Sequence, residues 1–387
     1  MPLGDQPTDT VSAALLRRLT EAMRRHGMTR LADQTGLDRL GVPCMAATRP
    51  NAATVTTHQG KGETLEAAAF SALMEAAEYA CAERPPAAVI HASCDHLAAK
   101  GARYLLPDAV LPAGEPLPRE RGIGWMAGTD LVSGEDVFVP RDMVKLADAE
   151  DMPGLSQSTN GLAAGFDQDH ARRHALCELI ERDAMVLWGF RSDASAAATE
   201  LNPYAFGDAG LAALCEKARD RNLDVGLFDM TSDLAIPTIY AVMTDRQTDL
   251  KLGVSTGAAC HPVAAVAARK ALLEAAQTRV SLISGVRDDI AEAEYERTFS
   301  TTPDLPGAAT FRSPPQGLEI GHGPAAELRH VLKMLIEHGH DSIVAVAIGG
   351  AEMGIHVEKL FVPGLEDRLT NRHWRPGRRA VRAMLGQ

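Results

Sequence analysis

A chain of 387 residues with a formal net charge of −12 can bury a large core without disulfide or metal staples, and its charge excludes a general nucleic-acid binder. No apolar run reaches membrane-spanning length, and the N-terminus lacks the basic, apolar and small-residue succession of a secretory signal. The six cysteines (44, 81, 94, 177, 215, 260) form no C-x-x-C pair, so neither a disulfide framework nor a Cys₄ zinc site is expected, and a reducing cytoplasm fits.

Residues 1–10 are polar and read as frayed. Val11 to His26 reads as an amphipathic helix with Leu15, Leu16 and Leu19 on one side, stopped by Gly27. Asp38 to Thr48 reads as a strand. Gly60-Lys61-Gly62-Glu63-Thr64 is not a P-loop, because Gly62 follows the lysine where Ser or Thr is required. It reads as a glycine-flanked turn that brings backbone toward a ligand, with Thr64 capping the helix that follows. Lys61 is a candidate phosphate contact or a solvated loop lysine. Ser71 faces the same side as Glu75 and could touch a phosphate or a metal-bound water; otherwise it is a small packing residue.

Ala88 to Leu111 reads as strand, then helix, then a proline-rich connection through Pro118. Ile123 to Pro140 reads as a hairpin turning at Ser133-Gly134. The polar loop Ser158 to Gly165 runs into a helix that Asp167 or Asp169 can cap. On it His170, His174 and Glu178 have metal-ligand spacing, although a helix-surface or core role explains the histidines. An Ala/Ser-rich linker follows Phe190, then a helix over Phe206–Arg221 and paired strands over Leu223–Met230 and Ile236–Met243. Leu252–Thr256 suggests another strand. Gly257–Pro262 leads into a helix reaching Ser284, and Cys260-His261 reads as structural. Arg287 to Pro315 is a connector, Ala325–Gly339 a helix, and Ser342–Ile348 and Ile355–Val362 are strands. The tail from Asn371 carries five arginines and a short terminal helix.

One phrase recurs three times. Ala72 to Glu78 reads AL-x-E-x-x-E, Ala175 to Glu181 repeats it, and Ala271 to Gln277 reads AL-x-E-x-x-Q. A Glu pair three residues apart shares one helix face. Alone it would be a solvated surface. Three copies with the same apolar flank suggest converging acidic faces, which metal ions would neutralise. Hard oxygen ligands suit Mg²⁺, which takes its remaining oxygens from water and nucleotide phosphates.

The motifs then identify a family. GKGET at 60–64, SALMEAAEYACAER at 71–84, STNGLAAG at 158–165, HALCELIERD at 174–183, ARKALLEAAQTR at 268–279 and VPGLE at 362–366 together resemble the YcaO proteins, which use ATP to modify peptide backbone amides. The resemblance implies an α+β fold, with mostly antiparallel sheets and helices around a central nucleotide site. It also implies a helical and strand segment over residues 1–58 and an ATP-binding catalytic domain over 59–387. Metal ligands are then Glu75, Glu78, Glu178, Glu181 and Glu274. Nucleotide contacts are Lys61, Ser71, Asn160, Arg182, Gln277 (phosphate oxygen or ribose) and Arg279 (phosphate, or neutralisation of the acidic faces). Catalysis falls to Glu178, Glu181 and Arg182, with ATP and Mg²⁺ as cofactors.

Two departures refine the resemblance. Azoline-forming members commonly end in a proline-rich tail; this sequence ends Arg-Ala-Met-Leu-Gly-Gln. It looks more like members that work with a TfuA-type partner and a sulfur donor to form thioamides on a peptide or protein. The family usually has an acidic residue where His170 stands. An azoline cyclodehydratase, a non-catalytic ATP-binding scaffold and, more distantly, a carboxylate-rich metallohydrolase are the alternatives. A homodimer is implied by the resemblance, and neither nucleic acid nor membrane is an expected partner.

Overall fold

The structure, a computed structural model, describes residues 13–106, 117–147, 151–152, 157–245, 254–286, 311–319, 321–368 and 374–386. The start expected to be frayed, most of the expected 287–315 connector and parts of the 107–118 connection and of the tail lie outside them. Helices of twelve residues or more are α1 (Ala13–Arg25), α2 (Leu65–Glu83), α3 (Gln168–Trp188), α4 (Ala209–Asp220), α5 (Ala264–Ser284) and α6 (Pro324–Glu337). Strands in the first half are β1 (Arg30–Asp33), β2 (Cys44–Thr48), β3 (Thr57–Lys61), β4 (Ile90–Ala92), β5 (Ile123–Asp130), β6 (Asp136–Pro140) and β7 (Leu162–Gly165). Those that follow are β8 (Glu200–Leu201), β9 (Leu223–Asp229), β10 (Thr238–Asp245), β11 (Val254–Cys260), β12 (Val344–Gly349) and β13 (His356–Phe361). The mixed α+β class with antiparallel sheets is as the sequence implied.

The chain forms two compact units drawn from discontinuous stretches: Met1–Asn51, Val55–Ala76 and Arg191–Gly323 in the first, and Ala52–Thr54, Ala77–Phe190 and Pro324–Gln387 in the second. Compactness therefore does not divide the chain at residue 58. The first unit holds two antiparallel sheets, ordered β1-β2-β3 and β11-β10-β9-β8. Its core packs Leu211 and Cys215 of α4, Leu227, Ile239 and Met243 of the sheet, and Leu272 and Leu273 of α5. The second unit holds one antiparallel sheet ordered β4-β5-β12-β13-β7, with β6 also on β5. One of its cores surrounds Trp125, whose indole N–H donates to the Ala92 carbonyl at 2.9 Å, with Cys94, Leu97 and Ile123.

Local chemistry explains the element ends. Gly27, at φ +88°, closes α1, and Asp167 rather than Asp169 caps α3 by accepting the His170 N–H at 2.7 Å. Thr64 Oγ1 accepts the Ala67 N–H at 3.2 Å at the start of α2. Three expectations change. Gly60 and Lys61 lie in β3 rather than in a turn. The strand expected over 38–48 begins only at Cys44. The segment after Phe190 carries a short helix, Asp193–Ala197, and the two-residue β8 before α4 begins at Ala209, later than Phe206. Short strands such as β8 have no periodicity to read.

Candidate functional site

The three repeated phrases share a packing device. A side chain at Gly60 of β3 would place its Cβ 2.1 Å from the Ala72 nitrogen of α2. At Gly257 of β11 it would lie 2.4 Å from the Ala271 carbonyl oxygen of α5, and at Gly165 of β7, 2.3 Å from the Ala171 nitrogen of α3. No Cβ tolerates such distances, so each helix rests directly on strand backbone. Ala72 and Ala271 are the first residues of their phrases. The third contact, at Ala171, falls one turn before the Ala175 that opens its phrase. Small residues at these points bring the helices, with Glu75 and Glu274 one turn on and Glu178 two turns on, close to strand backbone.

The glutamates use that closeness. Glu75 Oε2 accepts the Gln59 N–H of β3 at 2.9 Å, and Glu78 Oε1 accepts the Ala164 N–H of β7 at 2.7 Å. Both strands end their sheets, where such N–H groups lack a ladder partner. One hydrogen bond to a backbone N–H fixes each carboxylate's orientation.

In the second unit α3 brings the three expected catalytic side chains together. Arg182 Nη2 lies 3.9 Å from Glu178 Oε1, and Nη1 lies 3.5 Å from Glu181 Oε1. Glu181 is buried and the other two are half-buried. His170, at the start of the same helix, accepts the Phe166 N–H on Nδ1 at 3.3 Å and stacks on the Phe166 ring. His174 is exposed. His170 thus packs at the helix start, while His174 faces outward.

Asn160 belongs to the loop before β7. It is buried, and its side-chain oxygen has no hydrogen-bond partner among the described residues. An unpaired buried amide oxygen costs about 1–3 kcal/mol, so this atom awaits a donor or a cation. The loop is held by Lys359 of β13, a residue that sequence reasoning missed. Lys359 is 3% exposed, and its ammonium donates to the carbonyls of Ser158 at 2.5 Å and Asn160 at 2.7 Å. Burial pushes this ammonium down to about 8, against the opposing pull of the Glu178 and Asp367 carboxylates. Asn160, Lys359, Ser158 and Asp367 line one pocket with Leu179 and Phe361.

Two further missed residues anchor the C-terminal segment. Asp183 accepts the Glu366 N–H at 3.0 Å and two N–H groups of Arg379 at 2.9 and 2.8 Å. Glu366 accepts from the Trp374 indole, Gly377 N and Ala380 N at 3.0–3.1 Å. Both acids stood within the family motifs, and their acidity beside apolar runs was the available signal.

In the first unit the expected residues are differently engaged. Lys61 pairs with Glu274 at 3.1 Å, so the candidate phosphate contact neutralises a candidate metal ligand. Arg279 is buried; Nε and Nη2 each meet a carboxylate oxygen of Asp38 at 3.0 Å, and Nη2 reaches Asp245 at 3.4 Å. Its charge is committed to two aspartates rather than to a helix's glutamates. Ser71 and Gln277 are half-buried on their helices, and the Gln277 carbonyl accepts from Ser281 at 2.9 Å.

Oxygen donors of this kind suit Mg²⁺ and a triphosphate. Among the described residues no group of three or more His, Cys, Asp or Glu is placed to hold a metal alone. Glu75 and Glu274 fall in the first unit and Glu78, Glu178 and Glu181 in the second.

Comparison with known proteins gives the class. A family model described as "YcaO cyclodehydratase, ATP-ad Mg2+-binding" matches residues 59–366, and the chain belongs to the YcaO family. ATP and Mg²⁺ are that family's ligands. A Rhizobium leguminosarum bv. trifolii protein, "Uncharacterized protein in tfuA 3'region", is 34% identical over 376 residues, covering 94% of this chain and 90% of the relative. Among solved structures, YcaO from Methanopyrus kandleri bound with AMPPCP and Mg²⁺ matches with a TM-score of 0.67 and 22% identity, over 95% of each chain. A heterocyclase in complex with substrate and cofactor matches all of this chain with a TM-score of 0.76 and 18% identity. The chain spans 57% of that heterocyclase's length. No helix among the described residues is long and apolar enough to cross a membrane.

Proposed function

We propose that this chain activates a backbone amide of a peptide or protein by ATP-dependent O-phosphorylation and, with an external sulfur donor and a TfuA-type partner, converts it to a thioamide. The carrying observation is the Glu178–Glu181–Arg182 face, two carboxylates and a guanidinium on one helix, together with Lys359, which feels the Glu178 carboxylate and holds the carbonyl of Asn160, whose buried side-chain oxygen has no partner among the described residues. The relative from a tfuA region supports the sulfur chemistry. Phosphoryl transfer asks a protein mostly for positioning and charge, so no protein nucleophile is needed. On this reading sulfide adds to the amide carbon, and the resulting oxyanion takes the γ-phosphoryl group of ATP, releasing ADP. Phosphate then departs with the former amide oxygen as the C=S bond forms.

Glu178 and Glu181, with Glu75, Glu78 and Glu274, are the residues that would hold Mg²⁺. Bound there, the metal would supply charge neutralisation on the triphosphate. Arg182 keeps its guanidinium beside both carboxylates of α3, and Asn160 offers an acceptor to a ligand donor. Lys61, Ser71, Gln277 and Arg279 are assigned to the nucleotide on the sequence resemblance, with the Arg279 guanidinium also held by Asp38 and Asp245. A homodimer belongs to the same reading.

An azoline-forming cyclodehydratase is the second reading, favoured by the family model's description. Calorimetric titration of Mg·ATP into the wild-type chain, Glu178→Gln and Glu181→Gln tests the site. Magnesium-dependent binding is expected in the first and lost in both folded variants; equal binding in all three refutes the assignment. Mass spectrometry of the product separates the chemistries: sulfur replaces oxygen in a thioamide, whereas an azoline loses one water.

A further inference from the structure

We infer that Lys359 is a positioning residue for the nucleotide loop: its ammonium clamps the carbonyls of Ser158 and Asn160, so that the Asn160 side-chain amide is presented to the ligand with its oxygen unpaired. This rests on the reading above that Asn160 contacts the nucleotide.

The geometry is specific. Burying a lysine costs several kcal/mol, and a well-packed apolar side chain usually serves a strand better. Here the buried ammonium satisfies two loop carbonyls at 2.5 and 2.7 Å. The rest of the loop is pinned around the same place. Leu360 N donates to the Gly161 carbonyl at 2.8 Å, Asn160 N donates to Ser158 Oγ at 3.0 Å, and Ser158 Oγ lies 3.4 Å from Asp367. Gly161, at φ +79°, would place a Cβ 2.5 Å from the Leu360 carbonyl oxygen, so the loop cannot sit this close with any other residue there. These hydrogen bonds tie the 158–161 turn to itself, to β13 and to the adjoining loop. None satisfies the Asn160 side-chain oxygen. A turn held this firmly around one open acceptor is preorganised for a ligand. The ring of Phe361, 5.7 Å from the ammonium, shields it on one side.

A double-mutant cycle tests the inference. Mg·ATP affinity is measured for wild type, Lys359→Met, Asn160→Ala and the double variant. Hydrogen exchange of residues 158–162 is followed in the ligand-free proteins, and thermal melts report folding. Each single variant is expected to weaken binding about tenfold or more, the loss of one charge-assisted hydrogen bond. The double variant should bind no more weakly than the worse single one. Lys359→Met alone should accelerate exchange in the 158–162 loop. Additive losses, or wild-type affinity in a folded Lys359→Met, overturn the inference, because a purely structural lysine lowers the melting temperature without coupling to Asn160. Where Lys359→Met does not fold, Lys359→Gln, which keeps an N–H donor without charge, carries the same cycle. Absence of Mg·ATP binding in wild type defeats the nucleotide reading itself; unchanged loop exchange in the lysine variant defeats the clamp separately.

Discussion

Gly257→Ala isolates the packing device that sets Glu274. The glycine is not in the left-handed region, so alanine is conformationally permitted and only space is at issue. The new Cβ would meet the Ala271 oxygen at 2.4 Å, the Ala275 nitrogen at 2.5 Å and the Glu274 Cβ at 2.6 Å, where ordinary contact begins near 3.4 Å. All three belong to α5, and two are backbone atoms, so no flexible side chain can absorb the clash. The helix must withdraw by about 1 Å, and overpacking of this kind costs about 1–3 kcal/mol. A displacement of that size also moves Glu274, and misplacements near 1 Å cost about 10²-fold in well-aligned chemistry. Urea denaturation should show a lower midpoint with an unchanged slope. Gly36→Ala is the control, since a Cβ there meets nothing within 4 Å. Equal midpoints for the two variants would refute the claim that strand backbone bears directly on the repeated helices.

Four other outcomes follow from the structure. The six cysteines are all buried, and burial pushes Cys44 up to about 12 and Cys215 up to about 11; disulfide-exchange reagents at pH 8 should label the native chain slowly and the denatured chain fully. Because those two native values lie above the ordinary 9.0, their stabilising contribution is complete below pH 9 and is lost as pH rises through 11–12, which alkaline melts can record. Burial raises the Asp130 carboxyl, but the Val132 N–H, the Arg103 guanidinium and the Ile343 N–H outweigh it and hold it below 3.8; its contribution is present above that value and fades as pH falls through the native one, so the melting-temperature gap between wild type and Arg103→Met should close in acid. Arg379→Met strands the fully buried Asp183 and should cost about 3–5 kcal/mol in denaturant unfolding, with Asp183→Asn on the same background recovering part of it.

The helices bearing the glutamates were legible because their apolar faces and small residues repeat within a few positions. Asp167 as a cap and the Ser133-Gly134 turn were legible for the same local reason. Gly60 was read as a turn because glycine is ambiguous: a residue that frees φ and one that admits a close backbone look identical in sequence. Arg279 looked like a phosphate ligand because its partner Asp38 lies 241 positions away. Lys61 and Glu274, 213 positions apart, were read as separate ligands and form one pair. Lys359 sits in a run that reads as an ordinary strand, His-Val-Glu-Lys-Leu-Phe, and nothing local marks the buried lysine. Contacts between residues far apart in sequence decided each of these, and no window along the chain contains them.

The strand order of the second unit bears on how the protein must be made. Its sheet places β12 and β13, residues 344–361, between β5 and β7, which are complete by residue 165. During synthesis β5 and β7 therefore wait, with unpaired edges, through the whole stretch Arg191–Gly323 that belongs to the other unit. Open edges of that kind pair readily with other chains, and non-local strand insertion is slow. A nascent or truncated chain ending before Val344 would expose both edges at once. The hairpin that brings Lys359 to the 158–161 loop is thus also the piece that closes the sheet, so expression yield should depend on how soon it arrives.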